Sequence, residues 1–393
     1  MKKPMKIVLY GGSFNPPHIG HIAAAKAAKR QLKPDKLLII PDCAAPHKDM
    51  PEASPTPEQR LALCRLSFDG IPDCEVSDIE IGRGGKSYTC DTLRQLKKFY
   101  PGASFTLLVG TDMLCSFDQW KDFRWILENA ALAAFPREKG EGKRLSAAAS
   151  ALKKQYGAKV ELVDMKPTAA SSTELRSLLP RREGRELLQP DAYDYIIAQR
   201  LYAAAPEWKW LRKKAYAMLK DSRVPHVQGC EQEALRLAGR WGADPDAAAE
   251  AAILHDITKK YEREEQLNLC EKYGIITDAW ERGSGKLMHA LTGAAVARAQ
   301  FGCSDEVCRA IRWHTTGRAD MALLEKVIYL ADYIEPTRSF EGVEALRRLA
   351  YEDIDRALAL GFSMSLEDVR AGGEQPHPNT VAALSWYGGG EHG

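Results

Sequence analysis

The sequence predicts two domains of different fold class: an α/β domain built on a doubly wound parallel sheet, and an all-α domain after it. The first observation is that short apolar runs alternate with helical patterns over roughly the first 200 residues, as in a Rossmann-like sheet. The second is that helical periodicity with almost no strand pattern continues from Glu207 onward. A chain of 393 residues also exceeds what a single core usually holds. We therefore expect domains at residues 1–204 and 205–393.

The elements of the first domain follow from its apolar runs and from helix-start signals. Strands are expected at residues 6–10, 36–40, 74–81, 105–109, 130–135 and 159–163. Helices are expected at residues 22–32, from Pro57, where a threonine precedes a proline, and from residue 89 to about residue 100. Because ligands bind at the carboxyl ends of the strands in such sheets, the loops after these strands are the candidate site.

The loop after the first strand carries the most informative motif of the chain. Residues 11–21 read Gly-Gly-Ser-Phe-Asn-Pro-Pro-His-Ile-Gly-His. A glycine-rich turn between a strand and a helix lets backbone N–H groups approach a phosphate closely. His18 and His21 are three residues apart, so they share one helix face and can donate hydrogen bonds to negative charge. The alternative is a loop whose histidines merely cap a helix, which leaves the combination of glycines, prolines and spaced histidines unexplained.

This stretch resembles the HxGH signature of the nucleotidyltransferase superfamily, and its longer form is similar to that of the nicotinate-nucleotide adenylyltransferase family. Four further segments carry the resemblance, which covers residues 5–203: Pro46-His47-Lys48, residues 86–92, residues 110–114 with Trp120, and residues 171–176. The chain departs from the family at residues 135–140, where an R-P-G stretch is common. Another HxGH adenylyltransferase, acting on nicotinamide mononucleotide or phosphopantetheine, is the alternative, and the SFNPPHxGH form and Trp120 favour the nicotinate family.

The resemblance implies transfer of AMP from ATP to nicotinate mononucleotide, which gives nicotinate adenine dinucleotide and pyrophosphate in NAD biosynthesis. It also implies Mg²⁺ with the ATP, and positive charge from the catalytic residues at the phosphates. Trp120 would stack on the nicotinate ring, and Asp112 would contact nucleotide. The implied catalytic residues are His18, His21, Lys48 and Arg176, and the implied substrate-binding residues are Gly11, Gly12, Ser13, Phe14, Asn15, Tyr88, Thr89, Gly110, Asp112, Trp120, Ser171, Ser172 and Thr173.

The second domain contains a spread set of residues of the kind that bind metals. A lone histidine on an apolar helix face is more often a core group than a ligand. Four histidines in predicted helices, together with two aspartates, instead suit a metal site of imidazole and carboxylate ligands. The candidate ligands are His226, His255, Asp256, His289, His314 and Asp332.

Their order resembles the HD phosphohydrolase superfamily. Residues 254–259, 310–317 and 330–336 are similar to the symmetrical bis(5′-nucleosyl)-tetraphosphatase family of HD type, over residues 207–386. The resemblance implies cleavage of diadenosine tetraphosphate into two ADP at a centre of two transition metals, iron or else manganese. It assigns His226, His255, Asp256 and Asp332 to one metal, His289 and His314 to the second with Asp256 bridging, and Lys259 to the substrate phosphate. The alternatives are an HD hydrolase of other nucleotides and a non-catalytic nucleotide-binding module, and the complete ligand set argues against the latter.

The composition limits which binding partners and which cellular location are expected. The net charge of +2 gives no strong attraction to nucleic acid or to a membrane, and no apolar run reaches the length of a transmembrane helix. The nine cysteines are scattered without a CxxC pair, and the N-terminus lacks an apolar signal region, which is typical of a reduced cytoplasmic protein. We therefore expect ATP, nicotinate mononucleotide and dinucleoside polyphosphates as partners, and the oligomeric state stays open.

Overall fold

The structure, a computed structural model, describes residues 3–46 and 50–389 and consists of two compact units, Met1–Ala205 and Pro206–Gly393. The first unit contains a six-stranded parallel sheet with helices, and the regular elements described in the second are all helical. The expected fold classes, α/β followed by all-α, are confirmed. The division between the units lies one residue after the boundary expected from the sequence.

The sheet of the first unit has the strand order β3-β2-β1-β4-β5-β6, and every neighbouring pair is parallel. Leu9 in the central strand lies opposite Leu38 on one side and Leu107 on the other. The strand order reverses between β1 and β4, so their carboxyl ends, Gly12 and Gly110, flank the crevice in which such sheets bind ligands. The strands are β1 (Lys6–Gly12), β2 (Lys36–Pro41), β3 (Cys74–Val76), β4 (Ser104–Gly110), β5 (Ala130–Phe135) and β6 (Val160–Leu162).

Helices cover both faces of this sheet. Ile7 and Leu9 pack into one core cluster, whereas Val8 and Tyr10 pack into a second cluster that includes the alanines of the first helix. Both faces of the strand are therefore buried, which explains its continuous apolar run. The helices of this unit are α1 (Ile19–Leu32), α2 (Pro57–Phe68), α3 (Ile79–Arg83), α4 (Thr89–Phe99), α5 (Thr111–Cys115), α6 (Phe123–Asn129), α7 (Gly142–Tyr156), α8 (Ser172–Leu178) and α9 (Pro190–Ala198).

Two local expectations differ from the structure. The strand expected at residues 74–81 ends at Val76, and helix α3 follows it. The alternation of isoleucines imitates a strand, but the helical turn buries Glu80, which accepts a 2.6 Å hydrogen bond from Thr92 Oγ1. The glycines at positions 11 and 12 belong to β1, and helix α1 begins at Ile19 rather than at residue 22.

The second unit places the candidate metal ligands on five different helices or directly after them. Helices α11 and α12 pack closely, because the small alanines of α12 are buried in the helix interface. Nowhere in the described residues is a helix long and apolar enough to cross a membrane. The helices are α10 (Trp208–Ala217), α11 (Val224–Trp241), α12 (Pro245–Leu254), α13 (Arg263–Tyr273), α14 (Ala279–Gly283), α15 (Gly285–Phe301), α16 (Asp305–Trp313), α17 (Leu323–Ile334), α18 (Val343–Glu352), α19 (Ile354–Ala371) and α20 (Pro378–Gly388).

Candidate functional sites

A pocket lies at the carboxyl ends of β1 and β5 in the first unit. His18, His21, Phe135 and Arg137 are among the residues that line it. Arg137, which lies within the stretch that departs from the family pattern, pairs with Asp112, a predicted nucleotide contact: Arg137 Nη1 is 2.6 Å from Asp112 Oδ2. The pocket therefore lies beside the switch point of the sheet, where the sequence predicted the site.

The hydrogen bonds of the two histidines fix which ring nitrogen carries the proton. The N–H of Gly20 donates to His18 Nδ1, and the N–H of His18 donates to His21 Nδ1, both at 3.2 Å. Because each Nδ1 accepts a hydrogen bond, the neutral rings carry their hydrogen on Nε2. His18 Nε2 is buried and has no partner among the described residues. The pair therefore offers Nε2–H donors at the pocket.

Both rings are held in the neutral form. Burial, together with a smaller contribution from the nearby Arg137 guanidinium, lowers the pKa of His18 to about 4. Burial also lowers the pKa of His21 well below its ordinary value, with smaller contributions from His18 and Arg137. The sequence-based expectation was that these residues supply positive charge, whereas the structure shows neutral hydrogen-bond donors.

The loop between β1 and α1 is held from several directions. Ser13 Oγ donates to Asp42 Oδ2 at 2.8 Å, and Asn15 Nδ2 donates to Ser54 Oγ at 2.9 Å. The Phe14 ring is buried in the core, so only its backbone is left for the substrate contact predicted at this position. At Gly20 a Cβ atom would lie 3.0 Å from the His18 ring, which explains a glycine there.

Arg60 supports this loop and was not predicted. Its side chain is 1% exposed. Arg60 Nη1 donates to the carbonyl of Ser13 at 2.8 Å and to Asp42 Oδ1 at 2.9 Å, and Nη2 donates to the carbonyls of Asp42 and Cys43. One signal could have found it: Arg60 is four residues before the buried Cys64 on α2 and therefore on the inward face.

Helix α8 brings the distant serine- and arginine-containing motif onto the same loop. Ser171 caps the helix by accepting from the N–H of Glu174 at 3.1 Å. Ser172 Oγ donates to the carbonyl of Pro16 at 2.8 Å, across 156 positions of sequence. Arg176 Nη1 donates to the carbonyl of Asn15 at 2.6 Å, and Nη2 donates to Thr173 Oγ1. Arg176 and the loop before α1 therefore form one structural unit.

The remaining predicted contacts of the first unit lie around β4 and α4. At Gly110 a Cβ atom would lie 2.8 Å from Arg137 Cδ, so a side chain there would displace the arginine. Trp120 is partly buried and contacts Phe117, with the two rings tilted by 31° and their centroids 4.7 Å apart. Tyr88 lies under Lys121 Nζ at 4.4 Å and precedes Thr89, the first residue of α4. Trp120 and Tyr88 pack against the core cluster on the α4 face of the sheet.

Lys48, the fourth predicted catalytic residue, lies outside the described residues, as does His47 beside it.

In the second unit the four predicted histidine ligands surround Asp256, whose side chain is fully buried. Asp256 Oδ2 is 3.2 Å from His255 Nε2 and 3.8 Å from His226 Nε2. Asp256 Oδ1 is 3.1 Å from His289 Nε2 and 3.6 Å from His314 Nε2. Each carboxylate oxygen therefore faces its own pair of histidines, which is the arrangement a bridging ligand requires.

Three of the four histidines hold a ring proton on Nδ1. Nδ1 of His255 donates to the carbonyl of Ala252, and Nδ1 of His314 donates to the carbonyl of Ile311. His226 Nδ1 lies 3.0 Å from Glu335 Oε1, which binds its hydrogen in the same way. In the neutral rings Nε2 therefore carries a lone pair, the form that binds a metal.

The Nε2 atoms of each histidine pair lie close together. His226 Nε2 is 3.3 Å from His255 Nε2 and 2.9 Å from Asp332 Oδ1, and His289 Nε2 is 3.1 Å from His314 Nε2. The Nε2 lone pairs of the neutral His226 and His255 rings repel at 3.3 Å unless a cation binds to both of them. The donor set of imidazoles and carboxylates fits a divalent transition metal at each pair.

The charges in the cluster favour a cation as well. Burial opposes ionisation of Asp256 and Asp332, but their histidine neighbours hold the pKa of both carboxyl groups well below its usual range. Burial alone would lower the pKa of His255, and the two carboxylates together raise it. Burial lowers the pKa of His289 to about 4, so this ring stays a neutral ligand.

Three basic side chains surround the two carboxylates. Lys259 Nζ, predicted from the sequence, is 3.2 Å from Asp256 Oδ1. Arg223 Nε donates to Asp256 Oδ2 at 2.6 Å, and Arg338 Nη2 donates to Asp332 Oδ1 at 2.8 Å. Neither arginine was predicted, although Arg223 is only three residues before His226.

A buried glutamate, also missed from the sequence, orients His226. Glu335 is fully buried and accepts hydrogen bonds from His226 and from the N–H of Thr337, the latter at 2.7 Å. At Gly229, one turn along α11, a Cβ atom would lie 2.4 Å from Glu335 Oε2. The glycine therefore allows α11 to approach this carboxylate.

Comparison with known proteins agrees with the division into two units. Residues 9–178 match the family described as Cytidylyltransferase-like, and residues 223–337 match the HD domain. A probable nicotinate-nucleotide adenylyltransferase of Gemmatimonas aurantiaca is 36% identical over 207 residues, which are 51% of this chain and 94% of that protein. A symmetrical bis(5′-nucleosyl)-tetraphosphatase of Bacillus subtilis is 36% identical over 180 residues, which are 44% of this chain and 96% of that protein. A Mycoplasma genitalium protein described as a probable nicotinate-nucleotide adenylyltransferase/Ap4A hydrolase is 27% identical and spans 90% of this chain and 95% of its own length.

Proposed function

Because the chain belongs to the nicotinate-nucleotide adenylyltransferase family in its first half and to the HD-type symmetrical bis(5′-nucleosyl)-tetraphosphatase family in its second, we infer that it is a bifunctional enzyme. The first unit transfers AMP from ATP to nicotinate mononucleotide. The second hydrolyses diadenosine tetraphosphate to two ADP. The relative from Mycoplasma genitalium carries both activities in its name and matches most of this chain, which supports their union in one protein.

The first reaction needs charge stabilisation more than it needs a base. A 5′-phosphate oxygen of nicotinate mononucleotide attacks the α-phosphorus of ATP, and the bond from that phosphorus to the bridging oxygen of pyrophosphate breaks. The attacking phosphate is already ionised, so positioning and electrostatics supply the catalysis. We propose that the Nε2–H groups of His18 and His21 donate to the oxygens on which charge accumulates.

Arg176 and Lys48 would add the positive charge that the neutral histidines do not carry. The Arg176 guanidinium is held by the carbonyl of Asn15 and by Thr173, and its remaining N–H groups can bind phosphate. We propose that ATP arrives with Mg²⁺, held mainly by substrate oxygens and water. The backbone of residues 11–15, with Ser171 and Ser172, would line the phosphate path.

The mononucleotide is proposed to lie on the α4 side of the crevice. Trp120 and Tyr88 are the two partly buried aromatic residues of that side that the family resemblance assigns to the pyridine nucleotide. Thr89, Gly110 and Asp112 lie on the segments that begin or follow these elements. Stacking of the nicotinate ring on Trp120 would then fix the 5′-phosphate toward the histidines.

The second unit fits two divalent cations. We propose that His226, His255, Asp256 and Asp332 hold one, and that His289, His314 and the other oxygen of Asp256 hold the second, with iron or manganese as the metals. Two such cations would supply positive charge for the phosphate oxygens and would activate water. In the reaction, water adds to a phosphorus in the middle of the tetraphosphate and the P–O bond to the other ADP breaks.

The basic side chains around the cluster would bind the substrate rather than the metals. Lys259, Arg223 and Arg338 each contact a ligand carboxylate and retain further N–H groups for phosphate oxygens. Their number matches a polyphosphate substrate, which carries several negative charges between its two nucleosides.

The observation that carries the two-metal assignment is that each oxygen of the buried Asp256 faces a separate pair of histidines. The direct test is to identify the products of the full chain. Incubation with ATP, Mg²⁺ and nicotinate mononucleotide should give nicotinate adenine dinucleotide and pyrophosphate. Diadenosine tetraphosphate should give ADP alone, and formation of ATP with AMP would contradict symmetrical cleavage.

A further inference from the structure

A buried thiol lies beside the first metal position, where the family ligand set has no sulfur. Cys230 is one helical turn after His226 on α11 and is 1% exposed. Its Sγ atom is 3.4 Å from His226 Nε2. The potential ligand atoms of Cys230, His226, His255 and Asp332 all lie within 4.8 Å of one another.

The spacing of these atoms is that of ligands around one ion. Zn–N bonds near 2.0–2.1 Å and Zn–S bonds near 2.3 Å place neighbouring atoms of a tetrahedron about 3.3–3.6 Å apart. The three distances from His226 Nε2 are 3.4 Å to the sulfur, 3.3 Å to His255 Nε2 and 2.9 Å to Asp332 Oδ1. The distance between the sulfur and His226 Nε2 is therefore within the range expected for two ligands of the same ion.

A second observation shows that this group of atoms is arranged for a cation. The Nδ1 atoms of His226 and His255 already have oxygen partners, so their Nε2 atoms face Asp332 Oδ1, at 2.9 Å from His226 and 3.8 Å from His255. All three are largely or fully buried, away from water that could separate them. The thiol sulfur belongs to the same group of potential ligand atoms.

We propose that Cys230 is a further, sulfur ligand of the metal ion held by His226, His255, Asp256 and Asp332. On binding, the thiol releases its proton to solvent and a metal–sulfur bond forms. A soft thiolate shifts this position toward Zn²⁺, Fe²⁺ or Co²⁺ and away from Mn²⁺. The inference rests on the two-metal site proposed above and adds a ligand that distinguishes its two positions.

Cobalt spectroscopy tests the sulfur directly. The full chain is stripped of metal with a chelator and titrated with Co²⁺ alone. The wild type should show visible ligand-field bands from cobalt and a near-ultraviolet thiolate-to-cobalt charge-transfer band. Cys230→Ser and Cys230→Val should keep the visible bands and lose the near-ultraviolet band. Cys308→Val, which changes another buried cysteine of the same unit, should keep both.

Metal competition provides a second readout. Against a chromophoric chelator, Cys230→Ser should lose roughly 10-fold or more in affinity for Zn²⁺ at one site, the scale of losing one group that sets metal affinity. Its affinity for Mn²⁺ should change much less.

The outcomes separate this inference from the function on which it rests. Cobalt bands in the wild type without a near-ultraviolet sulfur band would leave the metal site intact and overturn the sulfur ligand, whether or not the variants fold. Absence of any bound-cobalt spectrum in the wild type would overturn the metal site itself. A charge-transfer band that persists in Cys230→Val would assign the sulfur to another cysteine and refute the proposal.

Discussion

Gly229→Ala should damage the metal site of the second unit without touching a ligand. The new Cβ atom would lie 2.4 Å from Glu335 Oε2, whereas real Cβ contacts essentially never fall below 3.0 Å. The carboxylate must therefore move by at least about 0.6 Å, or the helix must shift. Glu335 is fully buried and held by the N–H of Thr337 at 2.7 Å, so it cannot swing into solvent.

The size of the effect follows from two costs. Overpacking of a well-packed interior costs about 1–3 kcal/mol of unfolding free energy. Movement of Glu335 also stretches its 3.0 Å contact with His226 Nδ1, and loss of such a supporting contact typically lowers metal affinity by about 10- to 100-fold. We expect both effects in Gly229→Ala, with metal affinity reduced even under conditions in which the protein is fully folded.

The same helix offers a matched control. Gly239 lies on α11 as well, and a Cβ atom there meets nothing within 4 Å. Gly239→Ala should leave metal affinity unchanged and stabilise the protein by up to about 1 kcal/mol through helix propensity. Urea unfolding and chelator competition measure the two quantities. A Gly229→Ala protein that binds metal as tightly as Gly239→Ala would refute the assigned role of Glu335.

Three further predictions concern the first unit and the domain division. Because the pKa of His18 falls from 6.5 in the unfolded chain to about 4 in the folded one, its contribution to stability is fully present above pH 6.5 and is lost as the pH falls toward 4. Between pH 6.5 and pH 4 this residue should lower the free energy of unfolding by about 3 kcal/mol. Urea unfolding at several pH values should therefore show a smaller decrease in the free energy of unfolding for His18→Gln than for the wild type. The same decrease in both proteins would contradict the depressed pKa. Trp120→Ala should weaken binding of nicotinate mononucleotide by about 10-fold and leave ATP binding nearly unchanged, as calorimetry can show, since stacking is worth about 1–3 kcal/mol. Equal losses for both substrates would instead assign Trp120 to the core. Fragments 1–204 and 205–393 should each fold and retain one activity, and an insoluble or inactive fragment would place the boundary elsewhere.

The sequence predicted the strands of the first unit well where a continuous apolar run was present. Continuous apolar runs predicted the central strands because both faces of the sheet are buried. The error at residues 74–81 arose where isoleucines alternate by chance and the partner of Glu80, Thr92, is supplied by another helix. No local pattern encodes such a distant partner.

In the candidate sites, too, residues that belong to a sequence motif were predicted, and residues placed there by tertiary contacts were missed. The metal-ligand histidines and aspartates were predicted because their order is a family signature, and the structure brings them together. Arg60, Arg223 and Arg338 were missed, since the carboxylates to which they donate hydrogen bonds are brought to them only by tertiary folding. Cys230 was grouped with the other cysteines: its four-residue spacing from His226 is visible in the sequence, but folding alone brings His255 and Asp332 to the same place.

The central claim is that one chain carries two independent catalytic sites, and reciprocal variants of the full chain test it most directly. His18→Ala/His21→Ala and Asp256→Ala are each assayed for dinucleotide synthesis and for diadenosine tetraphosphate hydrolysis, with metal content measured on the same samples. The histidine variant should lose synthesis by roughly 10²-fold or more and hydrolyse normally. Asp256→Ala should hold fewer than two metals per chain, lose hydrolysis and synthesise normally. Full hydrolysis by Asp256→Ala with unchanged metal content, or native synthesis by the histidine variant, would contradict the account.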